Sequence, residues 1–212
     1  MMTMNKYGLY VVTDENLTLG RSIIDVVGEA LEGGADVVQL RSKSGSTRDM
    51  IDLGGRLLEL VKKYNSTFIV NDRVDVALAI DAHGVHVGQD DMPPDMVRKL
   101  LGSNKILGVS VDTVEDAKGA VAQGADYLGA GAVFLTNTKT EAPEIGTKGL
   151  KEIVNSVDVP VVAIGGIKLD NLGEVMSTGV DGVAVVSGIM SAKSVKSTAE
   201  QYKKKIIGQA ER

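Results

Sequence analysis

Thr67–Pro93 reads TFIVNDRVDVALAIDAHGVHVGQDDMP, and its parse decides the fold. Phe68–Val70 and Gly84–Val87 are apolar runs too short for helices and bounded by polar residues. Such runs mark strands buried on both faces of a parallel sheet. Arg73–Ile80, between them, leaves room for about two helical turns at roughly 1.5 Å per residue. The unit is strand, short helix, strand. Each strand runs out into polar residues, Asn71-Asp72 after the first and Gln89-Asp90-Asp91 after the second. Parallel strands bring their C-terminal ends to one face, so Asp72 and Asp91 can converge there. Two carboxylates at water-accessible strand ends suit a hard divalent cation, above all Mg2+. The competing reading makes both of them helix caps, Asp72 for the segment after it and Asp91 for the helix opened by Pro93-Pro94.

The same alternation extends in both directions. Upstream, Tyr7–Val12 is a strand, Arg21–Glu32 a helix stopped by Gly33-Gly34, Asp36–Arg41 a strand and Thr47–Tyr64 a helix. Downstream come the helix Pro94–Leu101, the strand Lys105–Val109, the helix Thr113–Gln123 and the strand Asp126–Ala130. Lys148–Asn155 and Asp170–Ser177 are helices, Pro160–Ile164 and Gly182–Val186 strands, and the helix Val195–Ile207 closes the pattern. Gly34-Ala35-Asp36, Gly124-Ala125-Asp126 and Gly179-Val180-Asp181 recur between a helical pattern and an apolar run, as repeated βα units require. Eight strands alternating with helices predict the α/β class and a single (β/α)8 TIM barrel. A doubly wound open sheet would carry a glycine-rich turn after its first strand, where this chain has Thr13-Asp14-Glu15-Asn16.

Composition narrows the function classes. The 212 residues are expected to form one domain, 1–212, large enough for a full core. A net charge of −5 predicts no polyanion-binding face, and the lysines of the last helix read as a solvated surface, so no nucleic-acid partner is expected. With no Cys, disulfides, thiolate metal sites and a thiol nucleophile drop out. MMTMNKYG is no secretory signal and no apolar run approaches the ~18 residues of a membrane span. A cytoplasmic protein without membrane partners is expected; oligomerisation is open.

In such barrels the active site lies at the C-terminal strand ends, often with phosphate held after strands seven and eight. Gly165-Gly166-Ile167 and Ser187-Gly188-Ile189 stand at those two places, where glycines let backbone N–H groups approach an anion. Gln39 and Arg41 share a strand face, with Lys43 just beyond. A glutamine aimed into a barrel needs a hydrogen-bond partner, and a guanidinium with an ammonium suits a polyphosphate. Ser110 follows strand five, and Phe134–Lys139 after strand six adds two hydroxyls and a lysine. The set describes a metal-bound diphosphate beside a second phosphorylated molecule, with no evident general base. His83 and His86 are read as structural. Asn137–Thr147, the longest connection without periodicity, is expected to be a lid over the mouth.

Taken together, QLRSK (39–43), VNDRVDVALAIDAHGVHVGQDD (70–91), LGVSVDTVEDA (107–117), GADYLGAGAVFLTNTK (124–139), PVVAIGGI (160–167) and GVAVVSGI (182–189) resemble the thiamine-phosphate synthase family along nearly the whole chain. The resemblance implies a (β/α)8 barrel enzyme, a transferase that joins hydroxymethylpyrimidine diphosphate to a thiazole phosphate and releases diphosphate, with Mg2+. It implies Mg2+ ligands at Asp72 and Asp91. Arg41, Lys43, Asn71, Ser110 and Lys139 would bind the diphosphate, Arg41, Lys43, Ser110 and Lys139 serving catalysis. Gln39 would meet the pyrimidine, and Thr136, Thr138, Gly166, Val186 and Ser187 the thiazole phosphate. The chain departs from the family pattern at Ser42, at Leu135 and Asn137, and at Asp112. The last argues against a thiazole tautomerase, a related barrel expected to use a histidine there; a non-catalytic phosphate-ligand barrel is the other alternative.

Overall fold

The strands turn alternate side chains to two sides, one packed against the helices and the other facing into the barrel. The computed structural model describes residues 6–136 and 143–210. The strands are β1 (Leu9–Val12), β2 (Val37–Leu40), β3 (Thr67–Asn71), β4 (Gly84–Val87), β5 (Ile106–Val111), β6 (Tyr127–Ala130), β7 (Val161–Ile164) and β8 (Gly182–Val185). They pair in parallel in chain order, and β8 returns to β1, giving a closed barrel. The helices are α1 (Ile23–Glu32), α2 (Thr47–Lys63), α3 (Val74–Ala79), α4 (Pro94–Leu101), α5 (Val114–Ala122), α6 (Gly146–Val154), α7 (Leu172–Met176), α8 (Ser187–Met190) and α9 (Val195–Ala210). The expected (β/α)8 barrel is what forms. One boundary matters for function: β5 runs to Val111, so Ser110 sits within the strand rather than after it.

Leu9, Val11, Val38, Leu40, Phe68 and Val70 face outward and pack with the helices in one large cluster. Their neighbours Tyr10, Val12, Val37 and Ile69 face inward and join Tyr127, Val162 and Ala184 in a second. Each fully buried aliphatic side chain contributes about 1.5–3 kcal/mol. Local signals set the helix ends: Ser46 and Asp49 form a reciprocal capping box at the start of α2, and Pro94 opens α4.

The Gly-x-Asp repeat works at the N-terminal end of the barrel. Gly34, Gly124 and Gly179 take left-handed φ values of 95, 97 and 92°, which turn the chain from helix into strand. The Asp two residues on accepts a hydrogen bond from a main-chain N–H at the start of the preceding strand. Asp36 accepts from Leu9 at 2.8 Å, Asp126 from Leu107 at 2.7 Å and Asp181 from Val161 at 2.9 Å. A fourth copy is disguised in sequence. Asp81 takes the glycine's place with φ 57°, and His83 Nδ1 accepts from the Phe68 N–H at 2.8 Å. The structural reading of His83 holds. Each of these four acceptors serves an N–H whose loss of a partner would cost about 1–3 kcal/mol.

Candidate active site

The C-terminal strand ends open into a cavity of about 630 Å³. On one side β2, β3 and β4 deliver the charged groups. Arg41 follows β2 with its backbone fixed by Thr13, whose Oγ1 accepts from the Arg41 N–H at 3.0 Å and donates to the Arg41 carbonyl at 3.3 Å. Its guanidinium meets Asp14 at 3.4 Å, and Lys43 lies farther out on the same wall. Asn71 ends β3 and lines the cavity with Asp72.

Asp72 and Asp91 are brought together, and neither caps a helix. The capping residues of α3 and α4 are Arg73 and Pro93, without a side-chain cap bond at either. Asp72 is held in the left-handed region at φ 61°, a conformation Asp and Asn adopt at lower cost than other side chains, while its N–H donates to the His86 carbonyl at 2.8 Å. Asp91 Oδ2 accepts from the Gly88 N–H at 2.7 Å. Withdrawal from water pushes the Asp72 carboxyl up to about 6, and the neighbouring Asp91 adds to this against the opposing pull of Arg41 and Asn71. Two adjacent carboxylates at an open mouth make a donor set chemically suited to a hard cation. Among the described residues no group of three or more His, Cys, Asp and Glu gathers for a metal. That fits Mg2+, which takes one or two carboxylates and completes its shell with water and substrate phosphate.

Across the cavity the loops after β7 and β8 supply the second wall. Gly165 and Gly166 have φ of 101 and 63°. A methyl on Gly166 would stand 2.8 Å from Phe134 Cβ and from the Leu135 carbonyl oxygen, so a glycine lets this loop pass against the loop after β6. Thr136, Gly166, Val186 and Ser187 all line this side. The Ser187 carbonyl accepts from Ser191 through both its N–H (3.1 Å) and its Oγ (2.6 Å), which closes the turn of α8. Thr138 and Lys139 lie outside the described residues, as does most of the expected lid (137–142).

The floor holds what the sequence reading missed. Gln39 Nε2 donates to Tyr10 Oη at 2.7 Å, Tyr10 Oη meets Tyr127 Oη at 2.7 Å, Tyr127 Oη meets His86 Nδ1 at 2.9 Å and His86 Nε2 meets Ser110 Oγ at 2.8 Å. Gln39 thus has the partner its burial demands. His86, read from sequence as structural, lines the cavity and touches Ser110. Gln89 Nε2 adds a bond to the Ser110 carbonyl at 2.6 Å. The strand parity that aligned Gln39 with Arg41 also turns Tyr10, His86 and Tyr127 inward, and that signal was present in the sequence.

Comparison with known proteins identifies the family. The family profile described as thiamine monophosphate synthase matches residues 9–189. The chain is 50% identical over 204 residues to the thiamine-phosphate synthase of Pyrococcus furiosus, covering 96% of this chain and 97% of that protein. It is 48% identical over 200 residues to the thiamine-phosphate synthase of Alkaliphilus oremlandii, covering 94% and 96%. A solved structure of thiamine phosphate pyrophosphorylase from Pyrococcus furiosus superposes with a TM-score of 0.91 at 47% identity, covering 97% of this chain and 98% of that one. A match spanning all eight strands leaves one assignment: the chain belongs to the thiamine monophosphate synthase family.

Proposed function

We propose that this chain is a thiamine-phosphate synthase, a transferase that joins 4-amino-2-methyl-5-hydroxymethylpyrimidine diphosphate to 4-methyl-5-(2-phosphoethyl)thiazole and releases diphosphate. The observation that carries the reading is the convergence of Asp72 and Asp91 beside Arg41 and Lys43, opposite a glycine-built wall that suits a separate phosphate. Asp72 and Asp91 would hold Mg2+, which when bound supplies charge neutralisation to a departing diphosphate. The residues of the chain do the rest. Arg41 and Lys43, with Lys139, meet the diphosphate oxygens as negative charge develops on them, the largest kind of contribution such a site makes. Asn71 and Ser110 add hydrogen bonds to the same group. Gln39 orients the pyrimidine. Thr136, Thr138, Gly166, Val186 and Ser187 fix the thiazole phosphate so that the ring nitrogen faces the carbon losing diphosphate, and positioning of this kind replaces an encounter in solution.

The departing group needs electrostatic stabilisation more than a base, which agrees with the floor: both ring nitrogens of His86 are engaged, by Tyr127 and Ser110. The test is direct. The purified protein is incubated with both substrates, with and without Mg2+, and thiamine phosphate and diphosphate are measured. Stoichiometric appearance of both only with the metal is expected; no thiamine phosphate under any condition would refute the reading.

A further inference from the structure

We infer that Gln39, acting through Tyr10, Tyr127 and His86, fixes the direction of a buried hydrogen-bond chain so that Ser110 turns its hydroxyl proton into the cavity. Tyr10, Tyr127 and His86 are then positioning residues, and Ser110 is a committed donor. Its role toward a diphosphate oxygen rests on the synthase reading above; the direction of the chain does not.

Five side chains share one line of protons. Gln39 Nε2 donates to Tyr10 Oη at 2.7 Å. Tyr10 Oη has its other bond to Tyr127 Oη, so its proton goes there. Tyr127 Oη, having accepted from Tyr10, gives its own proton to His86 Nδ1. An accepting Nδ1 puts the imidazole proton on Nε2, which donates to Ser110 Oγ. Ser110 Oγ has then accepted one bond and has one proton to give, and it lines the cavity. An imidazolium at His86 breaks the count. Its Nδ1–H would donate to Tyr127, Tyr127 would donate to Tyr10, and Tyr10, 2% exposed and already accepting from Gln39, would hold a proton with no further acceptor among the described residues. Burial pushes both phenols well above their ordinary range, so each keeps the proton the count assigns to it.

Two strand glycines make room for the chain. A methyl on Gly108 would stand 2.2 Å from Tyr127 Cζ, and one on Gly129 would stand 2.9 Å from His86 Cε1. The rings are held in place by each other as well, with Tyr127 centred 6.0 Å from Tyr10 and 5.4 Å from His86. The chemical consequence lies at Ser110. An anion's oxygens only accept, so a hydroxyl whose proton were tied back to His86 would present lone pairs to lone pairs. A hydroxyl already accepting from His86 presents a donor, oriented before the ligand arrives.

The experiment has a spectroscopic and a kinetic arm. The chain has two histidines, and His83→Asp leaves His86 as the only ring to observe by 15N NMR. The neutral Nε2–H form is expected near neutral pH; an Nδ1–H form or a doubly protonated ring overturns the inference. In the kinetic arm Tyr127→Phe is expected to lower kcat about tenfold, the scale of one hydrogen bond to a charged group, with both KM values nearly kept. In a Ser110→Ala background the same change is expected to add almost nothing, whereas full additivity overturns the inference. Should Tyr127→Phe fail to fold, His86→Gln places an amide nitrogen near the position of Nε2 and is expected to retain more kcat than His86→Asn; equal losses overturn it. A protein that makes no thiamine phosphate refutes the synthase reading alone, and the NMR arm still decides the direction of the chain.

Discussion

Replacing His83 tests the four-copy clamp at the base of the barrel. In His83→Ala the Phe68 N–H, on a fully buried residue, loses the acceptor now 2.8 Å away. Stranding such a donor costs about 2 kcal/mol, in the middle of the usual range, which for a chain of this size lowers Tm by roughly 4–8 °C. His83→Asp restores the acceptor in the chemistry of the other three copies. The local field favours it: besides burial, Lys105 and Lys62 hold the imidazole below its ordinary 6.5, and the nearby Asp81 is neutralised by Lys105 Nζ at 2.6 Å. The pH dependence has a definite sign. The unfolded imidazole takes up its proton near 6.5, the folded one only at a lower pH, so this part of the stability is complete above 6.5 and is lost as pH falls from there to the folded value. His83→Asp lacks that loss. Urea unfolding at about pH 7.5 and about pH 5.5 is expected to show His83→Ala weakened by about 2 kcal/mol at the higher pH, and His83→Asp gaining on wild type at the lower. An unweakened His83→Ala, or a gap between Asp and wild type independent of pH, would refute the clamp.

Asp72→Asn and Asp91→Asn are each expected to remove Mg2+-dependent turnover without lowering the stability of the metal-free protein, checked by activity and urea titration, because neither carboxylate caps a helix. Calorimetry on the wild type should show Mg2+ binding weakly alone and tightly once diphosphate is present, as expected of two carboxylates with no third His, Cys, Asp or Glu grouped with them among the described residues. Ser187→Ala should raise KM for the thiazole phosphate more than for the pyrimidine diphosphate, with kcat largely kept. Lys139→Ala should lower kcat about 10²–10³-fold in steady-state assays, the scale of one charge-stabilising contact.

The barrel was legible because buried parallel strands leave short continuous apolar runs, and Phe68–Val70 with Gly84–Val87 already set the repeat. The charged wall was legible for a related reason: residues after strand ends have nowhere to go but the mouth, which delivers Arg41, Lys43, Asp72 and Asp91. The floor was harder to see. Tyr10 and Tyr127 look like ordinary core aromatics in sequence, and only the closure of β1 against β8 carries Tyr10 to within hydrogen-bonding reach of a residue from β6. His86 was read as structural, but one histidine on an apolar strand gives no hint of what its two nitrogens meet. The fourth clamp escaped for a chemical reason. Asp81-Ala82-His83 shares no polar residue type at matching positions with Gly34-Ala35-Asp36, yet a left-handed turn and an accepting atom are all the role demands.

Because each clamp ties an even-numbered strand back to the odd one before it, the barrel divides into four two-strand modules; among the described residues no clamp of this kind joins β2 to β3, β4 to β5, β6 to β7 or β8 to β1. A covalent break at one of those seams spares all four clamps. A cut in the exposed turn at Gly102–Asn104 leaves all four clamps inside one fragment or the other, while Asp72, Asp91 and Gln39 fall in the first piece and Ser110, Gly166 and Ser187 in the second. Two half-chains expressed separately would each carry two finished modules and half of a cavity. Catalysis would then report their reassociation, turning the barrel into a split enzyme whose signal depends on both halves meeting.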